Sequence, residues 1–324
     1  MSSSSAPLVL PRPLKVDGNH FIAAPSESEF TSQFGSSYPI AQFIKSAYGT
    51  TAYYDLPAKT SSPDTVTQRL IFVHGIATPA VGLTPLARKL QDLNPSLHIL
   101  LYDLWGHGLS QTPLVPHVPA LFHSQILHLL GHMKWPSAHV VGYSFGGATA
   151  TSLTAYHPEV VESLVIIAPA GLFRSDSLTQ EDGLLRRGGP GMEEDARDWV
   201  LNFIEGGPLI VPKDWKERQN RGELVSEAIR SWERVEHKGH VPSVVAMFRD
   251  GGVFDGHDNF RMVLKSGKRT LAVLGELDEF CTVQDIETVG WKTVEVVKGA
   301  NHGLVRNNVN AIAALLEKFL SGLA

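Results

Sequence analysis

Apolar and polar positions alternate along this chain in blocks. Short, predominantly apolar runs fall at 70–73, 97–102, 138–141, 164–168, 269–274 and 293–297, the first of them continuous. Runs of this length without polar alternation are expected of strands covered on both faces. The stretches between them carry helical spacing. Thr84-Pro85 opens one helix, with Thr as N-cap and Pro at the first helical position, followed by Leu86, Leu90 and Leu93. Val118, Leu121, Phe122, Ile126, Leu129, Leu130 and Met133 mark another. Two β-like runs, 42–48 and 51–54, flank Gly49 and predict a hairpin. A closing helix is expected over 308–321. Strands alternating with helices imply a mostly parallel sheet with helices on both faces, an α/β architecture.

The rhythm stops between 171 and 255. That stretch is charge-rich, lacks a buried-strand run and reads as helical at 193–205, 214–237 and 241–249. Gly188-Gly189-Pro190-Gly191 and Gly206-Gly207-Pro208 break it. It is too long for an ordinary crossover, so residues 171–255 are expected to form a helical cap inserted into a core built from 39–170 and 256–324. The Ser/Pro-rich residues 1–38 are expected to be a mobile N-terminal arm.

Charge narrows the possible partners. The net charge is −5, and the basic clusters are no longer than the pairs Arg186-Arg187 and Lys268-Arg269. A nucleic-acid groove is therefore not expected. No apolar run is long enough to span a membrane, and the N-terminus lacks the basic start of a secretory signal. The single cysteine, Cys281, excludes an internal disulfide and reads as a packing residue. These features point to a cytoplasmic protein with no membrane partner and leave its oligomeric state open.

The chemistry gathers around Gly142-Tyr143-Ser144-Phe145-Gly146-Gly147. An apolar strand precedes this segment and an Ala/Thr/Leu-rich helix follows it, which is the arrangement of a nucleophile elbow. In a chain with 29 Gly, G-x-S-x-G arises by chance roughly 0.2 times, so its weight comes from that context and from its partners. A serine hydroxyl needs a base, and the base needs an orienting group. His302 follows the last predicted strand and Asp278 follows the one before it. In parallel sheets both positions fall at the strand ends where sites collect. Two N–H groups, of Phe145 and Ile76, are expected to form an oxyanion hole. Trp105, Leu172, Phe173 and Met247 are expected to line an apolar pocket for a small, uncharged substrate. Asp103 is expected to fix the Gly106-His107-Gly108 turn. His123, His128 and His132 should face solvent. The last two could pair on a metal by spacing, but no third ligand accompanies them, so no metal and no cofactor are expected.

Taken together, His74-Gly75, Asp103-x-x-Gly106-x-Gly108-x-Ser110, the serine elbow, Gly275-x-x-Asp278 and Asn301-His302-Gly303 resemble the α/β-hydrolase fold superfamily over residues 40–321. The resemblance implies eight mostly parallel strands and a catalytic triad of Ser144, Asp278 and His302. Epoxide hydrolases and haloalkane dehalogenases carry Asp at the elbow, unlike this chain. The His-Gly-Ile-Ala segment at 74–77 also differs from the HGGG loop of hormone-sensitive-lipase-like members. The implied activity is a serine hydrolase cleaving a carboxylic ester, lactone or similar acyl bond of a small apolar molecule through an acyl-enzyme. A C–C bond hydrolase and a non-enzymatic ligand receptor are the alternatives.

Overall fold

In a computed structural model, which describes residues 20–35, 38–60 and 68–322, the apolar runs assemble into one eight-stranded sheet. Strands β1 (Gln42–Ser46) and β2 (Gly49–Leu56) form the expected hairpin. They are followed by β3 (Gln68–Val73), β4 (Leu97–Tyr102), β5 (Ala138–Tyr143), β6 (Val161–Ile167), β7 (Arg269–Gly275) and β8 (Val294–Val297). The order across the sheet is 8-7-6-5-3-4-2-1. Strand β2 runs against both of its neighbours, and the other pairings are parallel. The register sets Val73 beside Gly142 and Gly142 beside Ile166, so the ends of β3, β5 and β6 open on one edge.

The apolar runs of the central strands follow from burial on both faces. Ile71, Val73, Leu100 and Val140 pack against α3 (Pro119–His132) and α4 (Phe145–Tyr156) through Phe122, Ile126 and Leu153. Their neighbours Leu70, Phe72, Leu101 and Val141 point the other way, as pleating requires, against α2 (Thr84–Leu93) and α13 (Val309–Ser321). Each such fully buried Leu, Ile or Val contributes about 1.5–3 kcal/mol. A helix that the pattern did not reveal, α10 (His257–Lys265), closes the first layer by setting Phe260 and Val263 into it. These are its two buried residues. Short helices α11 (Val283–Thr288) and α12 (Leu304–Asn307) follow β7 and β8.

Five helices stand between β6 and α10: α5 (Gln180–Arg187), α6 (Glu193–Glu205), α7 (Trp215–Asn220), α8 (Ser226–Glu236) and α9 (His240–Asp250). The single helix expected over 214–237 is two. The chain turns at Gly222, whose φ of +85° favours glycine. This insertion is fastened to the loop after β4. His237 Nε2 lies 2.8 Å from Ser110 O, His240 Nδ1 lies 3.0 Å from Gly106 O, and Ser243 Oγ donates to Trp105 O at 2.9 Å. The buried Glu233 carboxyl accepts from Gly108 N at 2.7 Å. Asp103 holds the same loop from below, accepting from Leu109 N, Ala80 N and the Tyr54 hydroxyl. Burial pushes its carboxyl up to about 6 against those donors.

The N-terminal stretch departs from expectation where it is described. Residues 1–19 of the predicted arm lie outside the described residues, but Glu27–Phe34 is a helix, α1, not a loose arm. Ser26 and Glu29 close a capping box on it. Phe30 packs against Trp232 with ring centroids 5.3 Å apart, and Phe34 against Trp215 at 5.7 Å. Thus α1 docks on α7 and α8 through aromatic contacts that sequence separation concealed.

Candidate active site

Ser144 sits on the turn between β5 and α4 with φ 54° and ψ −118°, a conformation that costs a non-glycine residue about 1–3 kcal/mol. The surrounding bonds hold it there. Ser144 N donates to Ile167 O at 3.0 Å, and its carbonyl accepts from Gly147, Ala148 and Ala170. The flanking glycines are sterically required. A Cβ at Gly142 would lie 2.2 Å from Gly146 O, and one at Gly146 would lie 2.1 Å from Val73 O.

The loops after β7 and β8 bring the two expected partners to this serine. His302 Nε2 lies 3.0 Å from Ser144 Oγ, and His302 Nδ1 lies 2.9 Å from Asp278 Oδ2. A carboxylate only accepts, so the Asp278 side fixes the proton on Nδ1 and leaves Nε2 to accept from the serine hydroxyl. The Asp278 side chain is fully buried, and its Oδ1 also accepts from Phe280 N at 2.9 Å. Glu276, the neighbouring acid, turns away and accepts from Gly299 N at 2.8 Å, tying the two loops together. The His302 ring stands between Tyr143, at 5.5 Å, and Phe280, at 4.9 Å. Tyr143 also donates to His302 O at 2.9 Å.

Ile76 and Phe145 both line the cavity beside Ser144. Among the described residues neither N–H meets an acceptor. Two buried histidines set the Ile76 backbone. His74 Nδ1 lies 2.7 Å from Gly75 O, and His107 Nε2 lies 2.7 Å from Ile76 O. Leu104 N donates to His74 Nε2, so the Nδ1 proton is the one given to Gly75 O. Because a trans peptide points its N–H opposite its carbonyl, holding Gly75 O on His74 turns the Ile76 N–H to the other side. Burial first, then the nearby His107, lowers His74 well below the usual histidine range; burial lowers His107 to about 4. Both act as neutral donors.

The cavity is small, about 120 Å³, and mostly apolar. Of the four predicted pocket residues, Phe173 lines it and Trp105, Leu172 and Met247 do not. Each exclusion has a geometric cause. Trp105 lies in the loop fastened under the insertion and is only 1% exposed. Extended backbone sends Leu172 and Phe173 to opposite sides, and Phe173 is the one that bridges to Phe254 across from the cavity wall. Met247 and Phe248 are about 100° apart around α9, so Met247 enters the core while Phe248 reaches the cavity. Phe203, Phe280, Arg230 and Arg306 also form the wall, unforeseen from the sequence. Phe280 is two residues past Asp278 and Arg306 one helical turn past His302, so a search around the predicted acid and base would have found both. Of the three histidines expected to face solvent, His132 is exposed and His128 half-buried, and only His123 departs from that expectation. His123 is buried beside His157, and His132 hydrogen-bonds the Tyr53 hydroxyl.

A family model for the alpha/beta hydrolase fold matches residues 68–206. A putative carbamate hydrolase RutD of Caulobacter is 33% identical over 255 residues, covering 74% of this chain and 86% of the relative. A 3-oxoadipate enol-lactonase of Acinetobacter baylyi is 28% identical over 181 residues, covering 53% of this chain. The match spans only 61% of that enol-lactonase's length. The crystal structure of an enol-lactonase from Burkholderia xenovorans superimposes with a TM-score of 0.62 over 86% of this chain and all of that one. At 17% identity this is a likeness of fold.

Proposed function

The chain belongs to the α/β-hydrolase fold family, and from that premise we propose that it is a serine hydrolase of a carboxylic ester, lactone or similar acyl bond. The observation that carries the reading is the unbroken line from Ser144 Oγ through His302 to the buried Asp278, beside two unengaged N–H groups. Ser144 Oγ attacks the acyl carbon as His302 Nε2 takes its proton. The carbonyl oxygen, now anionic, accepts from Ile76 N–H and Phe145 N–H. His302 returns the proton to the leaving oxygen, and the acyl-enzyme forms. Water then repeats the sequence, with His302 as its base. Asp278 holds the imidazole in the right tautomer and offsets its charge in both halves. Every proton and electron pair is supplied by these residues and water, so the reading needs no metal or cofactor.

The names of the relatives agree with acyl chemistry, one being a lactonase and another a putative carbamate hydrolase. In this reading residues 171–255 act as a cap over the site, with 39–170 and 256–324 as the core and a small, largely apolar acyl compound as substrate. The test is reaction with a fluorophosphonate together with turnover of short acyl esters. Ser144→Ala should abolish labelling and lower turnover by about 10⁴–10⁶. Undiminished turnover in Ser144→Ala would refute the mechanism.

A further inference from the structure

The cavity wall carries two cations and, among its lining residues, no acid. Arg306 stands one turn beyond His302, its guanidinium 5.8 Å from the centre of the Tyr143 ring. Among the described residues no carboxylate pairs with Arg306 within 4.0 Å. Arg230 comes from α8 in the insertion. Its Nη1 reaches Glu205, a carboxylate shared with Arg234, and its Nη2 lies 3.8 Å from Glu227, while the Arg230 Nε is buried with no partner among the described residues. Arg306 therefore meets the cavity half-buried with no described carboxylate beside it, and a buried N–H left unpaired, as at Arg230 Nε, is costly.

The positions of these groups divide the cavity. Arg306 lies over the Tyr143 ring, and Tyr143 and Phe280 both pack against the His302 ring, while Arg230 enters the same cavity from α8. Phe280 in turn joins Phe173, Phe203 and Phe248 in a continuous aromatic cluster. One wall therefore suits an apolar group and the other suits an anion. A planar guanidinium offers two parallel N–H donors, which match the two oxygens of a carboxylate.

We propose that the substrate is a short acyl compound carrying a carboxylate in addition to its scissile bond, with Arg306 and Arg230 as the residues that select it. The inference rests on the serine-hydrolase reading and revises the expectation of an uncharged ligand. Arg306 and Arg230 are specificity residues, since the reacting atoms belong to Ser144 and His302. A cavity of about 120 Å³ favours a half-ester or lactone of a short dicarboxylic acid over a long-chain lipid.

The test compares the monoethyl ester of adipic acid with its equally sized terminal carboxamide. Wild type should favour the carboxylate in kcat/KM by roughly tenfold or more, as expected of a charge-assisted hydrogen bond. Arg306→Gln should lower that ratio by roughly tenfold, chiefly through KM, and Arg306→Lys should restore part of it. Free adipate should also slow fluorophosphonate labelling of wild-type Ser144 more than adipamide does, a readout independent of whether a variant folds. A wild-type ratio near one would overturn the proposal, as would adipate and adipamide protecting equally. Stronger protection by an alkyl phosphate of the same length would overturn the choice of carboxylate. Absence of labelling and of all turnover would instead defeat the serine-hydrolase reading itself.

Discussion

Replacing Asp278 by Asn tests the site where its geometry is most restrictive. The carboxylate serves two donors, Phe280 N at 2.9 Å and His302 Nδ1 at 2.9 Å, and its side chain has no access to water. Asn has the same shape but one acceptor oxygen. If that oxygen stays with Phe280, the amide NH₂ faces His302, and the imidazole must present a bare Nδ1. Its proton then sits on Nε2, pointing at Ser144, where the base should be. A second loss is electrostatic. Opposite unit charges about 4 Å apart at an effective dielectric constant near 20 interact by about 4 kcal/mol, or nearly a factor of 10³ in the step that makes imidazolium. Adding the wrong tautomer brings the expected loss in kcat to about 10⁴. Glu276→Gln is the control. Its one bond, from Gly299 N, can be kept by the amide oxygen, so kcat should stay within about threefold of wild type. Both variants would be assayed on a chromogenic ester, with thermal unfolding to verify the fold. An Asp278→Asn enzyme retaining more than about a tenth of the activity, or a collapse in Glu276→Gln, would refute the reasoning.

Two further substitutions examine the scaffold. Gly146→Ala drives a Cβ to 2.1 Å from Val73 O and 2.5 Å from His74 O, both backbone atoms, so stability should fall by about 3 kcal/mol or more in urea unfolding; a loss below about 1 kcal/mol would contradict the packing. Glu233→Gln concerns pH. Burial holds the Glu233 carboxyl well above its ordinary value of 4.5, so its contribution is complete below that value and lost as pH rises through the raised one. Gln keeps an acceptor for Gly108 N–H and has no proton to lose, so its melting temperature should fall less than wild type's between about pH 5 and about pH 8; parallel falls would refute the assignment.

The parts of this molecule that sequence revealed are those set by local rules. Strands β3 to β7 are buried on both faces, and that alone requires predominantly apolar runs. The elbow is legible because two glycines and a serine are needed within one turn, and its contacts at 2.1 and 2.2 Å show why. Asp278 and His302 were legible through topology, since parallel strands deliver the loops after β7 and β8 to the edge where Ser144 stands. Helix α1 was legible in principle from its capping box but was masked by the Ser/Pro-rich composition around it.

What stayed hidden depends on which way a side chain faces within an insertion that has no sheet to set its register. On α9, composition favours Met247 and Phe248 equally as pocket residues, yet a single helical step puts one in the core and the other at the cavity. Charge misleads in a similar way. Arg230 reads as one of many solvated cap charges, because its approach to Ser144 is made only when α8 docks. That docking is achieved through the loop after β4, where Glu233, His237, His240 and Ser243 engage successive backbone groups between Trp105 and Ser110. The same loop carries His107, whose Nε2 holds Ile76 O. One polar network thus fixes both the placement of Arg230 and the peptide group beside the expected oxyanion site. Its members lie more than a hundred residues apart in sequence, beyond the reach of periodicity or motif spacing. Two buried histidines, His74 and His237, each donate to one backbone carbonyl and accept from one backbone N–H in the same region. Neutral and desolvated, they serve as two-ended connectors between backbone segments, a role for which a small ring with one donor and one acceptor is suited.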